Sequence, residues 1–354
     1  MTSNARELAQ IPSTPSGRLN LIINGAAEVN QRSTGTVNNG ETYGAVDRFV
    51  GYAAAGGTFT LAQSTDSPDG YNNSILATVT SADSSIASSD FYGISQRIEG
   101  KNVYHLGFGS SAAKTITISF WVKSSVTGTF GGAIRNSAAN RSFNFSYTVN
   151  SANTWEHKTY TIAGDTSGTW LTDTGIGLRV SWSLGDGSSR LQAAGQWGAG
   201  NFAGVTGQTN LITTGSATLQ LTGVQLEVGT LATEFEHQSF NEQLQLCQRY
   251  YQQYTNPPLR GVVSDPNVNR VGMPLPVIMR ATPTVTITSS GSSGHFNIYD
   301  GGTAGIYVST AASYCSPDKL EFDFDVNPNL TFRAAGVLYQ DSANASDFGI
   351  SAEL

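Results

Sequence analysis

Glu321, Asp323 and Asp325 alternate with Phe322 and Phe324, which on a strand puts three carboxylates on one face and two rings on the other. A glycosidase needs an acid and a base or nucleophile on either side of one bond. Three acids in file along one strand instead describe a solvated face, with a cation or intersubunit role next. His105, His157, His237 and His295 stand singly, without an HExxH or an i, i+4 pair to share a transition metal. The chain has no Gly-x-Ser-x-Gly elbow, no P-loop and no GxGxxG opening a helix. The expectation is a protein that is not an enzyme.

The aromatic residues offer a different chemistry. Flat apolar faces beside hydrogen-bonding groups suit a neutral glycan. Trp121 and Trp155 fall inside strand patterns and are expected in packing. Trp197 and Phe202 lie in the glycine-rich stretch Ala193 to Phe202, where no alternation assigns them to a core. Trp170 and Asp173 follow the turn-rich Asp165 to Gly168. Trp197, Phe202, Trp170 and Asp173 are therefore the candidate sugar contacts.

The elements that would position these residues are strands. Thr115–Lys123, Arg141–Val149, His157–Ile162, Ile176–Trp182 and Ala217–Leu221 alternate with period 2. Asn39-Gly40, Asp69-Gly70 and Asp186-Gly187 supply reversals between strands where a positive φ is needed. Residues 239–256 break the rhythm: Ser239 and Glu242 form a capping-box pattern, Leu244, Cys247, Tyr251 and Tyr254 repeat at helical spacing, and Pro257-Pro258 ends the segment. The expected class is all-β: a jelly-roll β-sandwich over 20–238, a connecting amphipathic helix over 239–256, and a smaller C-terminal β-domain over 257–354. Residues 1–19 hold too few apolar groups to order alone and are expected to form an arm.

Charge narrows the partners. Of 354 residues only 13% are charged, about half the usual share, and the formal net charge is −7. No basic cluster could release counterions from nucleic acid, so nucleic acid is not an expected partner. The two cysteines, Cys247 and Cys315, suggest no disulfide framework. No apolar run of membrane-spanning length occurs, and membrane insertion is not expected.

Two stretches near the start and middle of the chain carry a family resemblance. Asn20-Leu21-Ile22-Ile23-Asn24-Gly25-Ala26-Ala27-Glu28, read as the first strand and followed by Val29-Asn30-Gln31-Arg32, Tyr43 and Asp47-Arg48-Phe49, opens the sandwich. Val224-Gln225-Leu226-Glu227-Val228-Gly229 closes it as the partner strand, followed by Thr230 to His237 and Leu244 to Tyr251. Together with Met279 to Val285 and Ser351 to Leu354, these resemble bacteriophage tail-fibre and related virion proteins, and more distantly the jelly-roll carbohydrate-binding modules. The resemblance implies a structural phage virion protein made in the host cytoplasm. It would be a tail-fibre or appendage subunit, commonly a trimer, docked to other virion proteins through its N-terminal arm and adhering to host-surface glycan. A head fibre or capsid decoration, and a capsule polysaccharide depolymerase, stand as alternatives. No cofactor is implied beyond a structural calcium. For calcium the resemblance points to Glu28, after the Asn-Gly turn, and Glu227 on the partner strand.

Overall fold

The computed structural model of the protein describes residues 19–255, 260–265, 268–289, 296–299, 309–313, 315–325, 335–340 and 346–354; for Ala55 and most strands after residue 259 the backbone alone is described. The expected arm therefore lies outside the described residues, except for Leu19. Two compact units divide the chain, one ending at Gln243 and including Leu354, the other Leu244–Glu353.

The first unit is built from thirteen strands: β1 (Gly35–Tyr43), β2 (Phe49–Ser64), β3 (Ser74–Ser81), β4 (Phe91–Glu99), β5 (Ile116–Ser124), β6 (Gly128–Arg135), β7 (Ser142–Val149), β8 (Glu156–Ile162), β9 (Ile176–Asp186), β10 (Leu191–Gln192), β11 (Trp197–Gly198), β12 (Gly204–Val205) and β13 (Thr218–Val228). Eleven of them form one curled sheet in the order β11-β7-β6-β9-β4-β2-β3-β13-β5-β8, with β1 beside β2. The 16-residue β2 links the two layers of the sandwich, pairing with β4 through Phe49–Tyr52 and with β3 through Thr58–Ser64. Alternation decides what lies between the layers. Phe120 of β5 meets Trp182 of β9 at 5.7 Å and Tyr147 of β7 at 5.1 Å between ring centroids, both edge to face. This is the all-β jelly-roll sandwich that the period-2 segments predict.

The opening segment corrects one expectation. Asn20–Glu28 lies beside β13 but is not a strand; it is a series of bends. Asn24 and Ala27 have φ of 62° and 58°, which no regular strand accommodates. Main-chain bonds to β13 persist only from Leu21 N to Leu226 O at 2.8 Å and from Val224 N to Gly25 O at 3.0 Å, and asparagine side chains supply bonds between them. Asn20 Oδ1 accepts from Ile22 N at 2.9 Å and Leu226 N at 3.0 Å, while its Nδ2 donates to Val224 O at 3.0 Å. The buried Gln96 amide brackets the Ile23 backbone, donating to its oxygen and accepting from its nitrogen, both at 2.8 Å. Two of the expected turns also differ. Asn39-Gly40 sits at a bulge within β1 rather than between strands, and Asp186 ends β9 while Gly187 keeps a φ of −74°.

The helix is the second correction. It spans only Phe240–Gln248, opened by the predicted box, in which Ser239 N donates to Glu242 Oε2 at 3.0 Å. Tyr251 and Tyr254 instead belong to β14 (Tyr251–Thr255). Aromatic and Thr side chains favour extended backbone, and a long-range partner strand captures them here. The second unit continues with β15 (Arg260–Asp265), β16 (Val268–Pro274), β17 (Thr284–Ser289), β18 (Phe296–Tyr299), β19 (Ser309–Ser313), β20 (Lys319–Asp325), β21 (Ala335–Gln340) and β22 (Ser346–Ser351). These make a three-stranded sheet, β14-β22-β17, and a six-stranded one, β18-β21-β15-β16-β20-β19. Ile306-Tyr307-Val308, which reads from sequence as one strand of the C-terminal β-domain, lies outside the described residues. Glu321 on β20 pairs with Lys319 at 3.1 Å; the side chains of Asp323 and Asp325 lie outside the described set.

Candidate functional site: a polar sheet face

Three antiparallel strands of the first unit put their polar parity on the face away from the core. On β4, Ile94, Gln96 and Ile98 point inward, so Ser95 and Arg97 point outward. The register places Arg97 opposite Arg179 of β9, and Arg179 opposite Arg135 of β6. One row below, Ser95 lies opposite Ser181, and Ser181 opposite Ala133. Tyr52 on β2 lies opposite Gly93. A side chain at position 93 would collide with the Tyr52 hydroxyl, so the glycine is what lets the phenol sit on this face.

Much of this face is paired, but several of its polar atoms are not. Arg97 is ion-paired with Glu41 of β1 and donates to the main-chain oxygen of Leu354, which groups with this unit and also accepts from Tyr43 Oη at 3.3 Å. Arg135 Nη1 donates to Asn201 Oδ1 at 2.8 Å. Arg179 makes no hydrogen bond or ion pair among the described residues. The Nε atoms of all three arginines, Tyr52 Oη, Ser95 Oγ and Asp186 Oδ1 are shielded from solvent without a hydrogen-bond partner. Tyr52 Oη lies near Ser181 but lacks hydrogen-bond geometry to it.

Electrostatics follow from this crowding. Burial, together with the charges of Arg97 and Arg135, holds Arg179 below the usual arginine range. Burial pushes the Asp186 carboxyl up to about 7, against the opposing hydrogen bonds from Ser183 and Gln208. Tyr52 is raised above the ordinary phenol range, chiefly by burial. The far half of the face is closed by the 188–210 segment, where Asn144 donates to Gly204 O at 2.8 Å and accepts from Gln192 Nε2 at 2.8 Å. The half-buried edge of the face is aromatic: Phe91 lies 5.5 Å from Tyr52, and the Arg190 guanidinium sits 5.0 Å over the Phe91 ring.

The residues singled out from sequence are distributed differently. Trp170 and Trp197 do come together, at 5.6 Å and 85°, with Phe108 packed against both. Trp197 is held by the β11 pairing to Phe143, and Trp170 by the loop that a bidentate Arg141–Asp165 pair anchors. Both indole N–H groups are spent on backbone, Trp197 on Ala163 O at 2.8 Å and Trp170 on Ser167 O at 3.1 Å. Both rings are half-buried and pack against the core cluster. Phe202 makes no ring contact with this trio and lies beside Gly200. Asp173 is exposed and caps its own turn, accepting from Gly175 N at 2.8 Å.

The calcium expectation finds no ligand group. The Glu227 carboxylate is taken by Gln225 Nε2 at 3.0 Å, Thr233 N at 2.9 Å and Thr233 Oγ1 at 2.8 Å. Glu28 is half-buried and lines a separate recess with Glu236 and His237. Among the described residues no three His, Cys, Asp or Glu side chains are grouped to hold a metal.

The arginine row is not legible in the sequence, although Arg179 and Ser181 share one parity within the period-2 segment Ile176–Trp182. The missing information was cross-strand register, which brings residues from positions 97, 135 and 179 into line.

Comparison with solved structures finds distant likenesses. The fold is a jelly-roll β-sandwich, and its likenesses among solved structures are of fold alone. The enzymatically active domain of tailspike protein 4 of bacteriophage CBA120 aligns over 60% of this chain and 22% of its own, at 11% identity and a TM-score of 0.32. The family 11 carbohydrate-binding module of a cellulosomal cellulase of Clostridium thermocellum aligns over 55% of this chain and 98% of its own, at 13% identity and a TM-score of 0.28. A family 4 carbohydrate-binding module aligns over 58% and 98%, at 17% identity and a TM-score of 0.29. No family model and no curated protein matches the sequence.

Proposed function

We propose that this chain is a non-catalytic structural protein of a phage virion, a tail-fibre or other appendage subunit, whose sandwich adheres to host-surface glycan through the outer face of β4, β9 and β6. The observation that carries the binding reading is the set of solvent-shielded, unpartnered polar atoms on that face. A buried donor or acceptor left unsatisfied costs about 1–3 kcal/mol, and several on one face describe a surface whose partners come from a ligand. Sugar hydroxyls both donate and accept, so they can serve arginine, tyrosine and serine alike. The virion context rests on the sequence resemblance of the opening and closing segments of the sandwich. On that basis the arm docks on other virion proteins and the subunits associate as trimers, which multiplies weak contacts into avidity.

A second location is favoured by one observation. A shallow groove beside Trp170, lined by Val103, Tyr104, Leu106, Phe108 and Leu171, has Tyr104 65% exposed at its rim. Stacking on Tyr104 would place glycan there instead of on the sheet.

The test is retention of the full chain on an array of bacterial surface saccharides, with parallel assay of reducing ends. Binding without release of new ends is the expected result. Release of reducing ends would replace this reading with a depolymerase, and absence of any binding would replace it with a head-fibre or decoration subunit that contacts virion proteins only.

A further inference from the structure

We propose that the row Arg97, Arg179 and Arg135 is an oxyanion subsite, and that the glycan recognised is an acidic saccharide bearing a carboxylate or a sulfate ester. The inference rests on the glycan-binding reading and sharpens it. Like charges directly opposite each other on neighbouring strands destabilise a sheet. Here three stand in line across β4, β9 and β6, in a chain whose formal net charge is −7 and whose charged fraction is only 13%. Cation repulsion of this kind persists where something compensates it. Within the protein, Glu41 is ion-paired with Arg97 and its charge also reaches Arg179, while the Asp186 carboxyl, which burial pushes up to about 7, is the acid that faces Arg135. Arg135 has a neutral amide partner, Asn201, and Arg179 has none among the described residues.

The geometry of the donors gives the class of ligand. The Nε–H and an Nη–H of one guanidinium form the parallel pair that grips two oxygens of a planar or tetrahedral oxyanion. In all three arginines the Nε half of that pair lacks a protein acceptor. A neutral sugar could accept at single positions but cannot offset the charge. A carboxylate or sulfate does both at once. Tyr52 Oη and Ser95 Oγ, on the same face and unpartnered, remain for the ring hydroxyls beside the acid. The same arginines sit among hydroxyl and aromatic side chains rather than in an extended basic field, which suits a single acidic sugar within an otherwise neutral polymer.

The experiment compares matched pairs on the full chain by calorimetry: oligogalacturonate against its fully methyl-esterified form, and a sulfated galacto-oligosaccharide against its desulfated parent. At least one acidic member should bind tenfold or more tighter than its neutral counterpart, and whichever pair shows the difference identifies carboxylate or sulfate as the source. The advantage should disappear in Arg179→Gln, which removes a side chain with no protein partner, while the melting temperature stays at or above that of the parent. Arg135→Gln should act in the same direction; because it also releases Asn201, its melting curve is read first. Equal binding of acidic and neutral members would overturn the subsite and leave the glycan reading standing. Preference for acid that survives in Arg179→Gln would also overturn it, and binding of none of the four saccharides would count against both.

Discussion

Trp197 and Asp186 carry the clearest energetic consequences of single side chains. Trp197 packs edge to face with Phe108, Phe143 and Trp170 and donates to Ala163 O. Fully buried Trp→Ala changes cost about 3–5 kcal/mol, and a half-buried ring should give about 2 kcal/mol. Trp197→Ala is thus expected to lower the denaturation midpoint without changing saccharide binding; a loss of binding at unchanged stability would return the site to the aromatic loop. Asp186 titrates near 7 in the folded protein because burial disfavours its charge. Between the ordinary aspartate range and that value the folded state holds a proton that the unfolded state has released, so this group's contribution to stability falls as pH rises through the window. Asp186→Asn, which can still accept from Ser183 and Gln208, should be more stable than the parent at pH 8 and equal to it near pH 4. Melting curves across that range check the sign; a constant offset at every pH would contradict it.

Among elements, the opening segment is held by asparagine and glutamine side chains together with two main-chain bonds to β13, not by a continuous ladder. Removing Asn20 leaves Ile22 N, Leu226 N and Val224 O without their partner in a buried setting. Asn20→Ala is expected to cost about 2–4 kcal/mol in chemical denaturation; a change within about 0.5 kcal/mol, as at an ordinary surface site, would show that the segment is not fixed this way. This segment also marks how far the sequence was legible. The Asn-Leu-Ile-Ile-Asn-Gly run was recognisable as the partner of Val224 to Gly229, and the pairing exists, but its apolar run resembled a strand while the asparagines imposed bends. The period-2 segments gave β5, β7, β8 and β9 within a residue or so at their starts, because alternation is local. Tyr251 and Tyr254 satisfied a helical spacing and still became β14, since the deciding contact is with β22, about a hundred residues on. The arginine row was hidden for the same reason: each arginine sits in its own strand, and only register aligns them.

For the whole molecule, the proposed adhesion needs the polar face to be repeated in an assembly. The trimer expected from the virion resemblance should appear in native mass spectrometry of the full chain at micromolar concentration, and a monomer there would remove the avidity argument. No helix among the described residues is long and apolar enough to cross a membrane. The central claim is that ligand sits on the outer face of β4, β9 and β6. Hydrogen exchange of the full chain, with and without the tightest saccharide found on the array, tests it most directly. Protection is expected in 91–99, 128–135 and 176–186, with the 165–173 and 193–202 loops unchanged; protection confined to those loops and the Tyr104 groove would contradict the account.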